Sequence, residues 1–170
     1  MLKLLVIFAF LIFKKEGIVQ KLLHELKYSN NPEIGVLLGR MYGSKLRQDG
    51  VTFDAVLAIP LHKSKQKLRG YNQSEEFAKG LAEGLNIPLN TSVLKRKEFT
   101  ETQTKKSKYE RWENVSEIFE VKNPEAIQHK HILLVDDVIT TGATLEACVH
   151  ALKKVEGVKV SVASLATVER

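Results

Sequence analysis

The sequence predicts an α/β fold, a parallel sheet flanked by helices, on three observations. Short apolar segments alternate along the chain with segments of helical spacing, which is the order of strands and helices in such folds. Several apolar segments lack polar alternation, as is typical of strands buried on both faces of a parallel sheet. The 170 residues are 44% hydrophobic and 27% charged, a composition typical of one packed globular domain. We therefore expect a single domain over residues 1–170, with an N-terminal strand and helices in residues 1–50 and the core sheet with its ligand loops in residues 51–170.

The first apolar run, residues 4–13, is predicted to be a buried strand. It ends at Lys14 and Lys15, and no small-residue cleavage site follows, so it does not match a secretory signal. It is also much shorter than the roughly 20 residues that a membrane-spanning helix needs. We expect no association with a membrane.

Two helices are predicted next. Gly17 precedes the first, which ends near Tyr28, and Pro32 marks the turn before the second. The apolar face of the first helix consists of Ile18, Val19, Leu22, Leu23 and Leu26. That of the second consists of Ile34, Leu37, Leu38, Met41 and Tyr42. The helical spacing of these residues is the basis of both predictions.

The remaining chain predicts strands at residues 56–59, 89–94 and 132–135, and a final strand that begins at Val158. Two further helices have apolar faces formed by Phe77, Leu81 and Leu85, and by Leu145, Cys148, Val149 and Leu152. Ligands of parallel sheets bind outside the carboxyl ends of the strands. We therefore expect the chemistry to lie in the segments that directly follow the first three of these strands.

The segment after residues 132–135 combines two kinds of polar group. Two acids, Asp136 and Asp137, follow the buried run. Small residues then lead into the next helix: Thr140, Thr141, Gly142, Ala143 and Thr144. A helix start offers unpaired N–H groups and a positive dipole end to a phosphate, and carboxylates accept hydrogen bonds from vicinal ribose hydroxyls. A simple helix cap needs only one of these residues, so the combination favours a ribose-phosphate site over a cap.

Residues 132–144, ILLVDDVITTGAT, resemble the diphosphoribosyl-binding motif of type I phosphoribosyltransferases. The resemblance implies the type I phosphoribosyltransferase fold with a flexible hood loop, and phosphoribosyl diphosphate or ribose 5-phosphate as the ligand. It implies that Asp136 and Asp137 bind the ribose hydroxyls and supply carboxylates to Mg²⁺, while residues 140–144 surround the 5-phosphate.

The same resemblance places Asp136, Asp137 and Thr140 in catalytic positions. In several such enzymes the position of Thr140 holds an acid that assists proton transfer to or from a base. A threonine cannot do so at neutral pH, so the chain is more similar to the orotate and amido transferases than to the purine salvage enzymes. By this resemblance, transfer of the phosphoribosyl group to a nitrogen acceptor is the expected reaction.

The chain also resembles the ComF competence-protein family, over about residues 18–166. The residues that carry this resemblance are Ile59-Pro60-Leu61-His62, Leu68-Arg69-Gly70-Tyr71-Asn72-Gln73, Gln103-Thr104, Arg111 and Asn114. Members often have an N-terminal cysteine-rich zinc segment, which this sequence lacks, so no zinc is expected in it. The resemblance supports a second hypothesis, a non-catalytic competence protein that senses a nucleotide, binds DNA or acts with DNA-uptake proteins.

The loop after residues 56–59 is strongly basic. By resemblance to phosphoribosyltransferases, it receives pyrophosphate, and its candidate ligands are Lys63, Lys65 and Arg69. Arg69 is the strongest candidate, because a planar guanidinium can bind two phosphate oxygens at once. A solvated basic loop without a ligand is the alternative.

Residues 97–113 include nine charged residues among seventeen and show no clean hydrophobic period, which is typical of a long surface loop. The resemblance makes this segment the hood that closes over the reacting centre. Three of its residues are candidates for contact with the substrate: Gln103, Lys105 and Arg111. Alternatively the segment binds single-stranded DNA, because its basic residues alternate with Tyr109 and Trp112, which can stack on bases. The two aromatic residues can also anchor the loop to the core.

Charge and cysteine content indicate the kind of partner and the cellular compartment to expect. Lys and Arg outnumber Asp and Glu by 26 to 20, which favours an anionic partner such as a phosphorylated metabolite or a nucleic acid. The only cysteine, Cys148, allows no internal disulfide and no cysteine-based zinc site. A single cysteine fits a reducing, cytoplasmic compartment, and its place on an apolar helix face predicts a buried structural thiol.

Overall fold

The computed structural model describes residues 4–13, 17–28, 31–97 and 118–168. The strands among these residues are β1 (Leu4–Phe13), β2 (Ala55–Ala58), β3 (Leu94–Arg96), β4 (Phe119–Val121), β5 (His131–Ile139) and β6 (Lys159–Val168). The helices are α1 (Ile18–Tyr28), α2 (Glu33–Gln48), α3 (Lys63–Arg69), α4 (Gln73–Leu85) and α5 (Ala143–Leu152).

Four strands form a parallel sheet in the order β1-β6-β5-β2. Strands β3 and β4 form a separate antiparallel pair. Helices cover both faces of the main sheet. This is seen in β2 and β5, whose side chains belong to two different apolar clusters, one on each face. The observed architecture confirms the predicted parallel α/β fold.

The two clusters lie on opposite faces of the same strands. Along β5, Ile132 and Leu134 pack with Cys148 and Leu152 of α5. Leu133, the residue between them, belongs to the other cluster with residues of α2 and α4. All of these side chains are almost completely buried. Burial on both faces explains why the sequence of β5 lacks polar alternation. It also confirms that Cys148 is a buried thiol.

The N-terminal strand has the predicted bounds, but the prediction that it is buried was wrong for part of it. Val6 and Ile7 are 47% and 51% exposed, because β1 is at the edge of the sheet and, among the described strands, pairs with β6 alone. Phe8 and Phe10, in contrast, pack toward the α2 and α4 side, against the rings of Phe53 and Tyr42.

Helix α2 buries a different face from the one its large apolar residues predict. Leu37 and Met41 are 56% and 57% exposed. The buried residues of the helix are Gly35, Gly39, Tyr42, Gly43 and Leu46. Its glycines lie directly against α4, where a Cβ on Gly39 would come within 2.2 Å of the carbonyl oxygen of Phe77. Counting only large apolar residues missed this face, because the close approach of two helices requires small residues rather than bulky ones.

Three other predicted elements differ in detail. Residues 89–94 do not form a strand of the main sheet, since only Leu89 makes an isolated parallel bridge, to Val56. The Asn90 side chain accepts hydrogen bonds from the backbone N–H groups of Ser92 and Val93, which turns the chain away from the sheet. The basic loop after β2 contains the short helix α3, and β5 continues past residue 135 to Ile139.

The predicted hood, with Gln103, Lys105, Arg111, Tyr109 and Trp112, lies outside the described residues apart from Lys97. Within the described ranges, no helix has both the length and the apolar content to cross a membrane.

Candidate functional site

The candidate site lies at the carboxyl edge of the main sheet, where β2 and β5 end side by side. Ala58 pairs with Val135 in the parallel register, and the N–H of Ile59 donates to the carbonyl of Val135 at 2.9 Å. The loop that follows β2 and the acids of β5 therefore start from adjacent positions. This is the edge at which parallel sheets bind ligands.

The two predicted acids are inside the extended strand β5 rather than after it. Their strand pairs with β6 as far as Ile139, opposite Thr167. Asp136 Oδ1 accepts hydrogen bonds from the Ser74 hydroxyl at 3.0 Å and from the Asp137 backbone N–H at 2.9 Å. Asp137 Oδ1 accepts from the Val138 N–H at 2.8 Å. The carboxylates are thus held at the strand end by hydrogen bonds from the backbone and from α4.

The surroundings of Asp136 change its ionisation. Burial, and next the nearby charge of Asp137, raise the pKa of Asp136 from 3.8 to about 7, while the hydrogen bond from Ser74 opposes this rise. An acid with such a pKa is partly protonated near neutral pH. Strong perturbation by burial and a neighbouring charge is common among residues of functional sites.

The loop between β5 and α5 leaves the helix start open. The residue before α5 is Gly142, with φ of 84°, and no side chain among the described residues caps the helix. Thr141 Oγ1 makes only a long contact of 3.4 Å with the N–H of Ala143. Thr140, Thr141 and Thr144 are exposed. Apart from this contact, no described side chain caps the first N–H groups of α5, which are the groups that a phosphate would use. The ribose-phosphate site stays a prediction.

The three predicted pyrophosphate ligands have different surroundings. Helix α3 begins after His62, whose Nδ1 accepts from the N–H of Ser64 at 3.2 Å. Lys63 lines a cavity beside this loop, whereas Lys65 and Arg69 are absent from its lining. The Arg69 guanidinium donates to Gln73 Oε1 at 2.9 Å and lies 6.0 Å from the centre of the Tyr28 ring. In this conformation Arg69 is engaged with α4 and α1.

The cavity has a volume of about 290 Å³. It lies between the loop after β2, the start of α4 and the end of β3. Its polar and charged lining residues are His62, Lys63, Gln66, Asn72, Glu75, Thr91, Lys95, Arg96 and Lys97. The cations outnumber the single carboxylate of this set, so the cavity suits an anionic group.

Arg96 is a lining residue that the sequence did not single out. Its guanidinium is 5.4 Å from the centre of the Phe119 ring, and burial lowers its pKa from the ordinary value. No carboxylate of the described residues forms an ion pair with it. Arginine remains charged in proteins, so a partly buried guanidinium here is available to an anion. The signal in the sequence was its place two residues after Leu94, in one of the segments expected to carry chemistry.

Ser74 is a second residue that the sequence did not single out. It is 4% exposed and lies in the first turn of α4, 62 positions before Asp136 in the chain. Asn72, a residue of the segment resembling ComF proteins, precedes α4 and accepts a hydrogen bond from the N–H of Ser74. A residue pattern such as Asn-Gln-Ser predicts a helix start, but only the tertiary structure reveals the contact with Asp136.

The fold defines the class of protein. The chain superposes on the Bacillus subtilis glutamine phosphoribosylpyrophosphate amidotransferase with a TM-score of 0.55 and 20% identity, covering 81% of this chain and 30% of the other. It superposes on adenine phosphoribosyltransferase from Leishmania tarentolae with a TM-score of 0.52 and 13% identity, covering 92% and 90%. The chain thus has the type I phosphoribosyltransferase fold.

Sequence comparison defines the family. Residues 71–170 match the model of the phosphoribosyl transferase domain, and the chain belongs to that family. It is 30% identical over 151 residues to competence protein F of Haemophilus influenzae, covering 85% of this chain and 66% of that protein. It is 31% identical over 129 residues to the DNA utilization protein YhgH of Escherichia coli K12, covering 73% and 56%. The chain therefore spans less than two thirds of the length of either relative.

The acids fit Mg²⁺ only if a ligand contributes further oxygens. Among the described residues, no group of three or more His, Cys, Asp and Glu side chains could hold a metal ion. Mg²⁺, however, is commonly bound by one or two carboxylates together with substrate phosphates and water. Asp136 and Asp137 could supply such carboxylates. The expected absence of zinc stays a prediction.

Proposed function

We propose that this chain binds phosphoribosyl diphosphate or ribose 5-phosphate at the loop between β5 and α5. The observation that carries the proposal is the combination, at one sheet edge, of an uncapped helix start with an acid pair. The helix N–H groups and the exposed threonine hydroxyls suit the 5-phosphate. The carboxylates of Asp136 and Asp137 suit the ribose hydroxyls, because both can accept hydrogen bonds from vicinal donors.

The diphosphate would occupy the neighbouring basic cavity. Lys63 and Arg96 line that cavity from two different elements, and the cavity adjoins the loop that begins where β2 ends beside β5. Mg²⁺ held by the acids and the diphosphate oxygens would neutralise negative charge on the leaving group. Lys65 and Arg69 stay candidates for the same role, although neither lines the cavity.

We further propose that the bound phosphoribosyl group is transferred to a nitrogen acceptor. As pyrophosphate leaves, positive charge develops on the ribose. Asp136 and Asp137 would then stabilise the transition state more than the ground state, since they lie where the sugar would bind. Thr140 occupies the catalytic position by resemblance and would contribute a hydroxyl to the phosphate loop rather than an acid or base. Gln103, Lys105 and Arg111 of the hood remain candidates for contact with the substrate.

Calorimetric titration with ribose 5-phosphate and with phosphoribosyl diphosphate, each with Mg²⁺, tests the binding proposal. The variants are Asp136→Asn, Asp137→Asn and Thr144→Val. Hydrogen bonds to charged groups contribute about 1.5–3 kcal/mol, so each variant should weaken binding roughly tenfold to a hundredfold, nearer the lower value for Asn. If the variants bind both ligands as tightly as the parent while remaining folded, the site assignment fails.

Matched controls lie at the opposite edge of the sheet. Asp49 is exposed and pairs with Lys45 at the end of α2, and Thr52 is exposed shortly before β2. Asp49→Asn and Thr52→Val repeat the chemistry of the test substitutions away from the proposed site. Both should leave ligand affinity unchanged, so a loss in the controls would indicate a general effect on the fold.

A second candidate function is non-catalytic binding of DNA, by analogy with the relatives named competence protein F and DNA utilization protein. The basic lining of the cavity and the basic residues of α3 would provide phosphate contacts. Pyrophosphate release from phosphoribosyl diphosphate across a panel of acceptors, compared with single-stranded DNA binding at two salt concentrations, separates the two functions. Turnover with weak DNA binding favours transfer, and salt-dependent DNA binding without turnover favours the DNA function.

A further inference from the structure

A buried polar chain connects the end of β2 with the acids of β5. Its members are the first residues at the start of α4: Asn72, Gln73 and Ser74 are 6%, 1% and 4% exposed. Buried polar side chains are costly unless they are hydrogen-bonded. Such a group of three at one helix start therefore requires a structural or functional reason.

The hydroxyl of Ser74 is oriented by its partners. It accepts a hydrogen bond from the N–H of Asp137 at 3.0 Å, and it donates to Asp136 Oδ1 at 3.0 Å. A serine hydroxyl has a single proton, and this proton is directed at the carboxylate. The second donor to Asp136, the Asp137 N–H, reaches the same oxygen. Oδ1 is therefore held by two donors, and Oδ2 receives neither of these bonds.

Asn72 ties Ser74 to the strand that precedes the cavity. Its Nδ2 donates to the carbonyl of Ile59 at 3.0 Å, directly after β2. Its Oδ1 accepts from the N–H of Ser74 at 3.2 Å. The position of Ser74 is thus fixed relative to both β2 and β5, the two strands whose ends frame the candidate site.

We propose that Ser74 is a positioning residue that orients the Asp136 carboxylate for the ribose hydroxyls, with Asn72 holding Ser74 in place. Ser74 acts through Asp136 and does not itself contact the ligand. By holding Oδ1, it fixes the rotation of the carboxylate and so the direction of Oδ2. This inference rests on the proposed ribose-phosphate function, since it assigns a role in orienting a residue of that site.

A purely structural role for Ser74 predicts a different result. If the hydroxyl only satisfied buried polar groups of α4, its removal would lower stability and leave ligand affinity unchanged in the folded protein. Its effect would also be independent of Asp136. A positioning role predicts that the effect on affinity disappears once the Asp136 carboxylate has been removed, because residues that act through one another are not additive.

The test is a double-mutant cycle on ribose 5-phosphate affinity, measured by calorimetry on the full chain with Mg²⁺. The variants are Ser74→Ala, Asp136→Ala and the double variant, with thermal unfolding recorded for each. We expect Ser74→Ala to weaken binding about tenfold and to have no further effect in the Asp136→Ala background. Ser74→Thr, which keeps the hydroxyl, should restore most of the affinity.

Ser92 offers a matched control. Like Ser74, it follows an asparagine by two residues, and its N–H donates to that side chain, Asn90 Oδ1, at 3.0 Å. Ser92 is exposed and does not line the cavity. Ser92→Ala removes the same group from the same local motif and should leave affinity at the parent value.

The outcomes separate this inference from the function on which it rests. If the parent binds ribose 5-phosphate and Ser74→Ala binds equally well, or if the losses in the cycle simply add, the positioning role is wrong and the proposed function stands. If the parent itself does not bind, the proposed function fails, and the positioning role fails with it.

Discussion

The two parts of helix α4 differ in what they pack against. Its middle lies on α2, where a Cβ on Gly80 would come within 2.0 Å of the carbonyl oxygen of Val36, and one on Gly84 within 2.5 Å of that of Arg40. Its first turn lies at the strand ends, where Ser74 and Asn72 make hydrogen bonds rather than apolar contacts. One contact is backbone against backbone with no space left, and the other is polar and borders a cavity.

This difference explains how the position of the candidate site is fixed. The glycine contact sets how closely α4 approaches α2, because neither backbone can be displaced cheaply. The polar start of α4 is therefore held in a fixed position beside Asp136. Precise sites generally depend on such support by packed elements.

The largest expected effect comes from breaking the glycine contact. Gly80→Ala should lower the free energy of unfolding by roughly 3 kcal/mol, because the new methyl group meets backbone atoms and the helices must separate. The gain of about 1 kcal/mol in helix propensity from Gly to Ala opposes this loss only in part. Urea unfolding followed by circular dichroism measures the difference.

Lys79→Ala is the matched control, since Lys79 is the exposed neighbour on the same helix. It should change the free energy of unfolding by less than about 0.5 kcal/mol. An unchanged unfolding midpoint for Gly80→Ala would contradict the close approach of the two helices.

A smaller effect of opposite sign is expected at the polar end. Asp136→Asn should raise the free energy of unfolding at about pH 8 by on the order of 2 kcal/mol, because the ionised carboxylate is unfavourable in its partly buried place beside Asp137. The folded pKa is raised from 3.8 to about 7. Folding therefore favours the protonated form of Asp136. Its contribution to stability is fully present below the unfolded pKa and is lost as the pH rises through the folded pKa.

The advantage of the Asn variant should accordingly be largest above pH 7 and should vanish near pH 4. Urea unfolding across this range, with a chelator and without ligand, measures it. Asp49→Asn, at an exposed carboxylate, is the control. A parent protein that is as stable as the variant throughout the range would show that burial does not perturb Asp136.

The smallest expected effect is at the cavity. Arg96→Gln should weaken the binding of inorganic pyrophosphate roughly fivefold to tenfold and leave ribose 5-phosphate affinity nearly unchanged, because the guanidinium lines the cavity and not the β5–α5 loop. Competition against a labelled ligand measures both affinities. The control is Lys122→Gln, since Lys122 directly follows the neighbouring strand β4 and pairs with Glu120. An equal loss of affinity for pyrophosphate and ribose 5-phosphate would contradict a role of Arg96 in binding the diphosphate alone.

The sequence predicted those parts of the fold whose signal is local. Helices α1 and α4 follow from helical apolar periodicity, β6 from alternation, and β2 from a continuous apolar run closed by Pro60. The loop before α5 was singled out by its acids, threonines and glycine. The buried face of α2 was missed, because glycines carry no hydrophobic signal although they form the contact. The short antiparallel pair of β3 and β4 was also missed, since three-residue strands lack a recognisable period.

The candidate site was predicted where its residues are adjacent in the chain and missed where they are not. Asp136 and the threonines lie within nine residues of one another, so their combination is visible in the sequence. Ser74 and Arg96 join the same region only through the positions of α4 and β3. The burial that raises the pKa of Asp136 likewise depends on the packing of α4 and α5 against β5.

One hydrogen bond joins the two described residues that flank positions 98–117. The N–H of Lys97 donates to the carbonyl of Ile118 at 2.8 Å, directly beyond the β3–β4 pair. The two flanking residues are therefore adjacent in space. The closure entropy of a chain segment rises by only about 0.6 kcal/mol for each doubling of its length. The β3–β4 pair is therefore compatible with segments of different length between Lys97 and Ile118.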